Sequence, residues 1–495
     1  MTESSETTRK GRSALAHMLI LVGGTGASQV LTAVSSPLLT RIYSPHDFGI
    51  YAIALAVYNL LVTIVCLRYE AAIVLAQTHR SAANVTALCL AITSIMATVA
   101  TTICFLSWAS PFEVPNSGLE WWAVLLVPMG VLFSGGQQVV RFWCVRRHDF
   151  STITTIVLTQ TLTALGIQVC AGLVWNGDPA FLMLGTVMGV ACSVFVTLPR
   201  MMKLFPPSLL AAIRPSRVWA VARRHRRFPL FSTPYNFLGQ AAGRVLLLIL
   251  AVFVPTSTIG EFALAQRVVT LPVSVLTVSM SQVFYSRAVQ QLDDPKMQQF
   301  LHRIMVAGGL FFVPFVAFNF LFSTEIFEVV FGARWVQAGQ FAAYAGIASG
   351  FMTLTVWLDR VYDIRGRQRL ALALEAINDI ACLGTLALIM HFTRDVVAGI
   401  AGFSFATVGF YVLWTYEVFR IAPFPMKYFR NFIGAIVVST ALVFLIASLA
   451  RNITHDWLEQ AIIFVVLSAP LVAGGALVGR NSLNQRATGF AAISI

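Results

Sequence analysis

Charge is what this chain has little of. Only 11% of its 495 residues are Asp, Glu, Lys or Arg, against 57% hydrophobic. A soluble domain carries about a quarter charged residues. This sequence cannot dress a water-facing surface of its size, which excludes a soluble enzyme or binding module. Lysine is scarcer still, confined to Lys10, Lys203, Lys296 and Lys427. None stands in a GxxxxGK[ST] loop, so nucleotide hydrolysis on a phosphate-cradling P-loop is excluded too. HExxH, GxSxG and DxD are absent, the histidines are scattered, and the seven cysteines form no CxxC or Cys/His cluster. The cysteines therefore read as small apolar packing residues, and no metal or other cofactor is expected. "GGTGAS" (23–28) lacks the third glycine of a dinucleotide site and lies within an apolar run. The polar start "MTESSETTRKGR" precedes no small-residue cleavage site, so no removable signal is expected.

What the chain does have is repeated apolar stretches of about 20 residues, the length needed to cross a bilayer as helix. A membrane β-barrel would instead alternate over roughly ten-residue segments. The fold class is therefore an all-α polytopic membrane protein with about 14 transmembrane helices. They are placed near 15–39, 48–67, 85–107, 121–140, 152–174, 181–199, 231–254, 261–283, 303–322, 340–358, 370–390, 396–416, 432–450 and 461–479.

The cations test this map. With the N-terminus inside, 28 of the 34 Lys and Arg residues fall on the cytoplasmic side, counting Arg303 at the cytoplasmic edge of its span. Four (Arg41, Arg334, Arg394 and Arg451) fall outside, and Arg244 and Arg267 lie within spans. That asymmetry follows the positive-inside rule. It accounts for the net charge of +13 without nucleic acid as a partner, and puts both termini in the cytoplasm. The longest connection, 200–230, carries eight basic residues and no acid. It reads as an orienting loop on anionic headgroups, or as a dock for a cytoplasmic partner.

A shift of 211 residues lays "FGIYAIA" (48–54) on "IGEFALA" (259–265), with Gln29 on Gln240 and Gly49 on Gly260. The repeat is parallel and predicts two pseudo-symmetric six-helix lobes plus two C-terminal helices. The expected organisation is a tail (1–12), an N-lobe (13–199), a basic linker (200–230), a C-lobe (231–417) and a last helix pair with tail (418–495). Transporters commonly bind substrate at the interface of such repeats.

Asn236, Gln240 and Arg244 recur every fourth residue and so share one face of the seventh span. In the first span, Thr25, Gln29, Thr32 and Ser36 form a polar stripe of their own. Gly239 and Gly243 leave room for another helix to approach closely. An arginine at mid-span costs about 2.5–3.5 kcal/mol on insertion scales and is tolerated beside a water-filled cavity or a partner. Arg244 is thus either half of a structural pair or a cavity cation for an anionic substrate. A guanidinium fork fits phosphate. Arg267 is a second candidate. Glu375 and Asp379, four apart, either bind a coupling proton or cation or pair with Arg365 or Arg369.

"LLTRIYSPHDFGIYAIA" (38–54), "CLRYEAAIVL" (66–75), "FGARWVQAG" (331–339) and "DRVYDIRGRQRLALALE" (359–375) resemble bacterial lipopolysaccharide biosynthesis proteins of the polysaccharide flippase type. These are turn and helix-end patterns rather than catalytic signatures. The resemblance implies the multidrug, oligosaccharidyl-lipid and polysaccharide exporter superfamily. Its O-antigen flippase-like members carry a polyprenyl-pyrophosphate-linked glycan across the bacterial inner membrane by alternating access. Membrane lipids, a polysaccharide polymerase and glycosyltransferases are the partners it implies. Under that reading Arg244 and Arg267 hold the pyrophosphate, while Thr25, Gln29, Asn236 and Gln240 line the substrate cavity. An ion-coupled exporter of small amphipathic compounds is the transport alternative, and a scaffold for assembly enzymes the non-transport one. A membrane enzyme is not expected: the longest outer connection, 323–340, offers only Glu325 and Glu328 as acids.

Overall fold

The computed structural model describes residues 23–109, 121–202, 213–270, 292–422 and 424–491; the tail 1–12 and residues 203–212 of the basic connection lie outside them. Among the described residues there is no strand. Twelve of the fourteen expected spans coincide, within several residues at their ends, with helices long and apolar enough to cross a membrane. The other two, 15–39 and 261–283, are helical over 23–42 and 256–270 and otherwise run beyond the described residues. This is a multi-pass membrane protein.

The chain forms two compact units, Met1–Ala263 and Leu264–Ile495. The first holds α1 (23–42), α2 (Pro45–Thr63), the short α3 (Ala71–Leu75), α4 (His79–Ala109), α5 (Trp121–Arg146), α6 (Phe150–Val174) and α7 (Pro179–Met202). It continues with α8 (Pro215–Arg224), a π-helical turn at Phe228–Ser232 and α9 (Thr233–Phe253). The helix α10 (256–270) bridges the boundary. The second unit holds α11 (Pro295–Phe331), α12 (Val336–Thr355), the short α13 (Arg360–Ile364), α14 (Gln368–Thr393), α15 (Val396–Ile421), α16 (Met426–Ile453) and α17 (Trp457–Ala491). The boundary falls after α9 rather than in the basic linker because α9 packs along α2.

Packing is that of helices in hydrocarbon. The buried face of α4 is a ladder of small residues, Ala82, Val85, Cys89, Thr93, Ala100 and Cys104, and its other side exposes Leu90, Ile95, Val99 and Ile103. Without a hydrophobic drive between helices, close approach of small residues and buried hydrogen bonds carry the association. Within the first unit, Tyr58 Oη and Ser134 Oγ lie 2.6 Å apart, and Trp143 Nε1 donates to Thr86 Oγ1 at 2.8 Å. Gln137 Nε2 donates both to Gln160 Oε1 at 3.0 Å and to Ser193 Oγ at 2.7 Å.

The repeat is visible in backbone geometry. A Cβ built on Gly49 would lie 1.8 Å from the Thr256 carbonyl oxygen, and one on Gly260 would lie 1.9 Å from that of Pro45. At the 211-residue shift Gly49 matches Gly260 and Pro45 matches Thr256, so the contact is reciprocal, as a pseudo-twofold demands. A second signature lies in the turns. His148 (φ 57°) and Asn176 (φ 53°) are left-handed between α5 and α6 and between α6 and α7. Gly366 (φ 65°) and Arg394 (φ 54°) occupy the matching turns before α14 and before α15.

After α2 the chain leaves the helix through consecutive left-handed residues, Leu67 (φ 48°) and Arg68 (φ 62°). Glu70 is buried there, 3.7 Å from Arg68 Nη1. Burial pushes the Glu70 carboxyl above the usual carboxylate range, against the pull of its own backbone N–H and of Arg68. Arg146 Nη1 donates to the carbonyls of Ile73 (2.8 Å), Val74 (3.3 Å) and Ala76 (2.5 Å), which fixes α3 against the end of α5.

Candidate functional site

The residues of α9 begin at a break in helical geometry. Pro229 and Pro234 remove two backbone donors, and the chain answers with the π-helical turn at Phe228–Ser232. Asn236 is drawn into that turn: its Nδ2 donates to the Ser232 carbonyl at 2.8 Å. Its amide thus completes the backbone here, while Gln240, one turn on, is exposed. Arg244, a further turn on, is half-buried and has no hydrogen bond or ion pair with any described residue. No acidic residue occurs between Asp178 and Glu261, so α9 lies in a long acid-free segment. Close helix packing was expected at Gly239, but a Cβ there would meet no described atom within 4 Å.

The polar stripe of α1 divides in two. Ser28 is buried, with its Oγ 2.6 Å from Thr161 Oγ1 of α6; Thr32 and Ser36 donate back to the carbonyls of Ser28 (2.9 Å) and Thr32 (2.8 Å). Those hydroxyls serve the helix itself. Thr25 is exposed, and Gln29 is half-buried with no hydrogen bond to a described residue. Thr25, Gln29, Asn236, Gln240 and Arg244 thus all belong to the first unit, divided between its first helix and its last long one. Arg267, half-buried on α10, belongs to the second unit.

Glu375 and Asp379 lie on α14 within the second unit. Pairing with Arg365 or Arg369 is not what holds them. Arg365 Nη2 bonds Asp293, distant in sequence, and Arg369 is exposed. Asp379, 7% exposed, accepts from Asn378 Nδ2 at 3.4 Å through Oδ1, and its buried Oδ2 has no partner among the described residues. Cys382 Sγ donates to Asn378 Oδ1 at 3.2 Å, and Thr407 Oγ1 of α15 donates to that sulfur at 3.5 Å. A polar chain thus runs from α15 to a buried carboxylate, with Glu375 half-buried one turn away. Among the described residues no group of three His, Cys, Asp or Glu side chains is placed to hold a metal.

Arg141 escaped the reading of the sequence, which ended its span at 140. The helix α5 runs on to Arg146, so Arg141 is a helix residue, half-buried, with an Nε that finds no partner among the described residues. The available signal was its spacing, four residues beyond the buried Gln137.

Each unit thus carries one polar feature within a span: Arg244, with no partner among the described residues, in the first, and the buried Asp379 carboxylate in the second. The chain matches the polysaccharide biosynthesis protein family over residues 38–340 and belongs to that family. Its fold is shared with solved structures of membrane transport proteins. It is similar to the lipid II flippase MurJ in an inward closed conformation, with 13% identity, a TM-score of 0.70, and 94% of this chain and 99% of that one covered. It is also similar to a mutant form of the Vibrio cholerae MATE transporter VcmN, with 14% identity, a TM-score of 0.50, and coverage of 87% and 99%. No curated protein matches the sequence.

Proposed function

We propose that this protein flips a polyprenyl-pyrophosphate-linked oligosaccharide across the bacterial inner membrane for surface polysaccharide assembly. A sugar chain and a pyrophosphate cannot enter hydrocarbon without polar partners. Arg244 is the observation that carries the reading: a permanently charged fork within a span, half-buried, with no described partner and no acid in its segment. It binds the pyrophosphate, with Arg267 as a second cation. Gln29, Gln240 and Thr25 offer hydrogen bonds to phosphate or sugar, and Asn236 supports the geometry of α9. The lobes 13–199 and 231–417 give alternating access, both termini face the cytoplasm, and the polymerase and glycosyltransferases of polysaccharide assembly are partners. Membership of the polysaccharide biosynthesis family and likeness to the flippase fold support this reading.

Replacing Arg244 with Ala tests it. Lipid-linked glycan should accumulate on the inner leaflet while the protein remains at its normal level. Arg244→Lys should recover part of the transport, since an ammonium keeps the charge but not the bidentate fork. Normal surface polysaccharide in Arg244→Ala cells would remove this residue from the mechanism.

A second reading, ion-coupled export of small amphipathic compounds, draws on Glu375 and Asp379 and on the likeness to VcmN. The absence of any described arginine partner for these carboxylates favours a proton or cation there, and ion coupling is compatible with either cargo.

A further inference from the structure

The basic connection ends in a docked helix whose outer face nothing described covers. Its inner face is anchored to the first unit. Val221, Ala222 and Phe228 pack on that unit's core. The hydroxyl of Tyr69 donates to the Ala222 carbonyl at 3.2 Å, and the Arg214 backbone N–H donates to Asn84 Oδ1 at 3.4 Å. The outer face presents Arg214, Trp219, Arg223, Arg224, Arg226 and Arg227, all exposed. Trp219 is 62% exposed, with the Arg223 guanidinium 5.3 Å from its ring centroid. No described acid pairs with any of those five arginines.

We propose that this face of α8 is a docking surface for the headgroups of anionic phospholipids in the adjoining leaflet. Placement favours lipid over a protein partner. Only five residues separate Arg227 from Thr233, where α9 begins, a rise of about 9 Å along a helix. Arg226 and Arg227 therefore lie within about one Debye length of the start of the span. Between those arginines and that start, Leu230 and Phe231 are 60% and 68% exposed, as side chains entering hydrocarbon would be. A tryptophan beneath a guanidinium suits the same depth, with the ring at the headgroup level and the cation on phosphate. Each arginine near an anionic leaflet strengthens adsorption by about fivefold. A headgroup-bound α8 would hold the start of α9, and with it Asn236 and Arg244, at a fixed depth.

Hydrogen exchange over 213–227 tests this on the full-length protein, in nanodiscs of phosphatidylcholine alone and of an equal phosphatidylcholine–phosphatidylglycerol mixture. Exchange should slow by about fivefold or more in the mixed discs. High salt should reverse the effect, and R223Q/R224Q/R226Q/R227Q should lack it while the exchange of α4–α7 stays unchanged. W219A, which keeps every arginine, should lose only part of it, and this guards against misfolding of the multiple variant. Equal exchange in the two discs would overturn the proposal. So would protection by poly-glutamate in phosphatidylcholine discs matching that by phosphatidylglycerol, because the face would then be a dock for acidic protein. Protection by inorganic phosphate alone would equally overturn it in favour of a free-anion site.

Discussion

Gly49 and Gly260 separate a close helix contact from an incidental glycine. Each puts its Cα against the carbonyl that begins the other's helix, and a methyl group at either must push backbone aside. Overpacking of this kind costs typically about 1–3 kcal/mol, and more where backbone must yield. Gly49→Ala and Gly260→Ala should therefore lower the melting temperature of the purified protein, by similar amounts. Gly239→Ala, where a Cβ would meet no described atom within 4 Å, should leave it unchanged or raise it, since alanine is favoured over glycine in a helix by about 1 kcal/mol. Equal loss for all three would mean that the reciprocal contact is absent. Asp149 makes a second prediction at this scale, outside the spans at the start of α6. Burial raises its pKa, but the Thr152 and Ser151 hydroxyls, the Thr152 N–H and Arg200 outweigh that and hold it below the usual carboxylate range. With the folded pKa below the unfolded value of about 3.9, the stabilisation is fully present above that value. It is lost as pH falls through the folded pKa. Melting temperature followed from neutral to strongly acid pH should show this limb in wild type and a shallower one in Asp149→Asn.

Between helices, the left-handed turns carry the repeat. His148 to Asn176 and Gly366 to Arg394 are both separations of 28 residues, and the pairs flank α6 and α14. A left-handed residue costs a non-glycine side chain roughly 1–2 kcal/mol. Arg394, exposed at the C-terminal cap of α14, should accept Arg394→Gly with a rise in melting temperature, corresponding to about 1 kcal/mol. No rise would mean that Arg394 has another role. This part of the fold could not be read from the letters. The 211-residue shift is legible at the paired glycines, where close approach restricts the residue. The later turns match at a shift of 218, and His, Asn, Gly and Arg share a backbone conformation without sharing a side chain. The site was half legible for a similar reason. A lone arginine in an apolar run declares itself by its cost in hydrocarbon. That the amide of Asn236 is drawn to the Ser232 carbonyl follows from the π-helical turn, which periodicity does not reveal. Nor could spacing show that Arg365 is held by Asp293 and is not available to Glu375, because that pairing spans distant segments.

For the molecule as a whole, the question is what does work on the cargo. Two carboxylates one helical turn apart within a span repel each other, and each costs about 2.5–3.5 kcal/mol if charged at the centre. No described cation relieves Glu375 or Asp379, and one oxygen of Asp379 is buried without a partner. A proton or small cation taken up there would relieve the repulsion, and under the proposed function its release on the other side would couple an ion gradient to transport. Neutralising both carboxylates, E375Q/D379N, should therefore remove the stimulation of transport by an imposed ion or proton gradient in proteoliposomes while leaving binding of the lipid-linked glycan near wild type. Arg244→Ala should do the reverse, lowering affinity for the pyrophosphate headgroup and leaving the response of the remaining transport to the gradient. A gradient response retained in E375Q/D379N would show that coupling lies elsewhere. If instead both variants lost glycan binding together, the two sites would be one network, and a division of labour between the cation on α9 and the carboxylates on α14 would have to be abandoned.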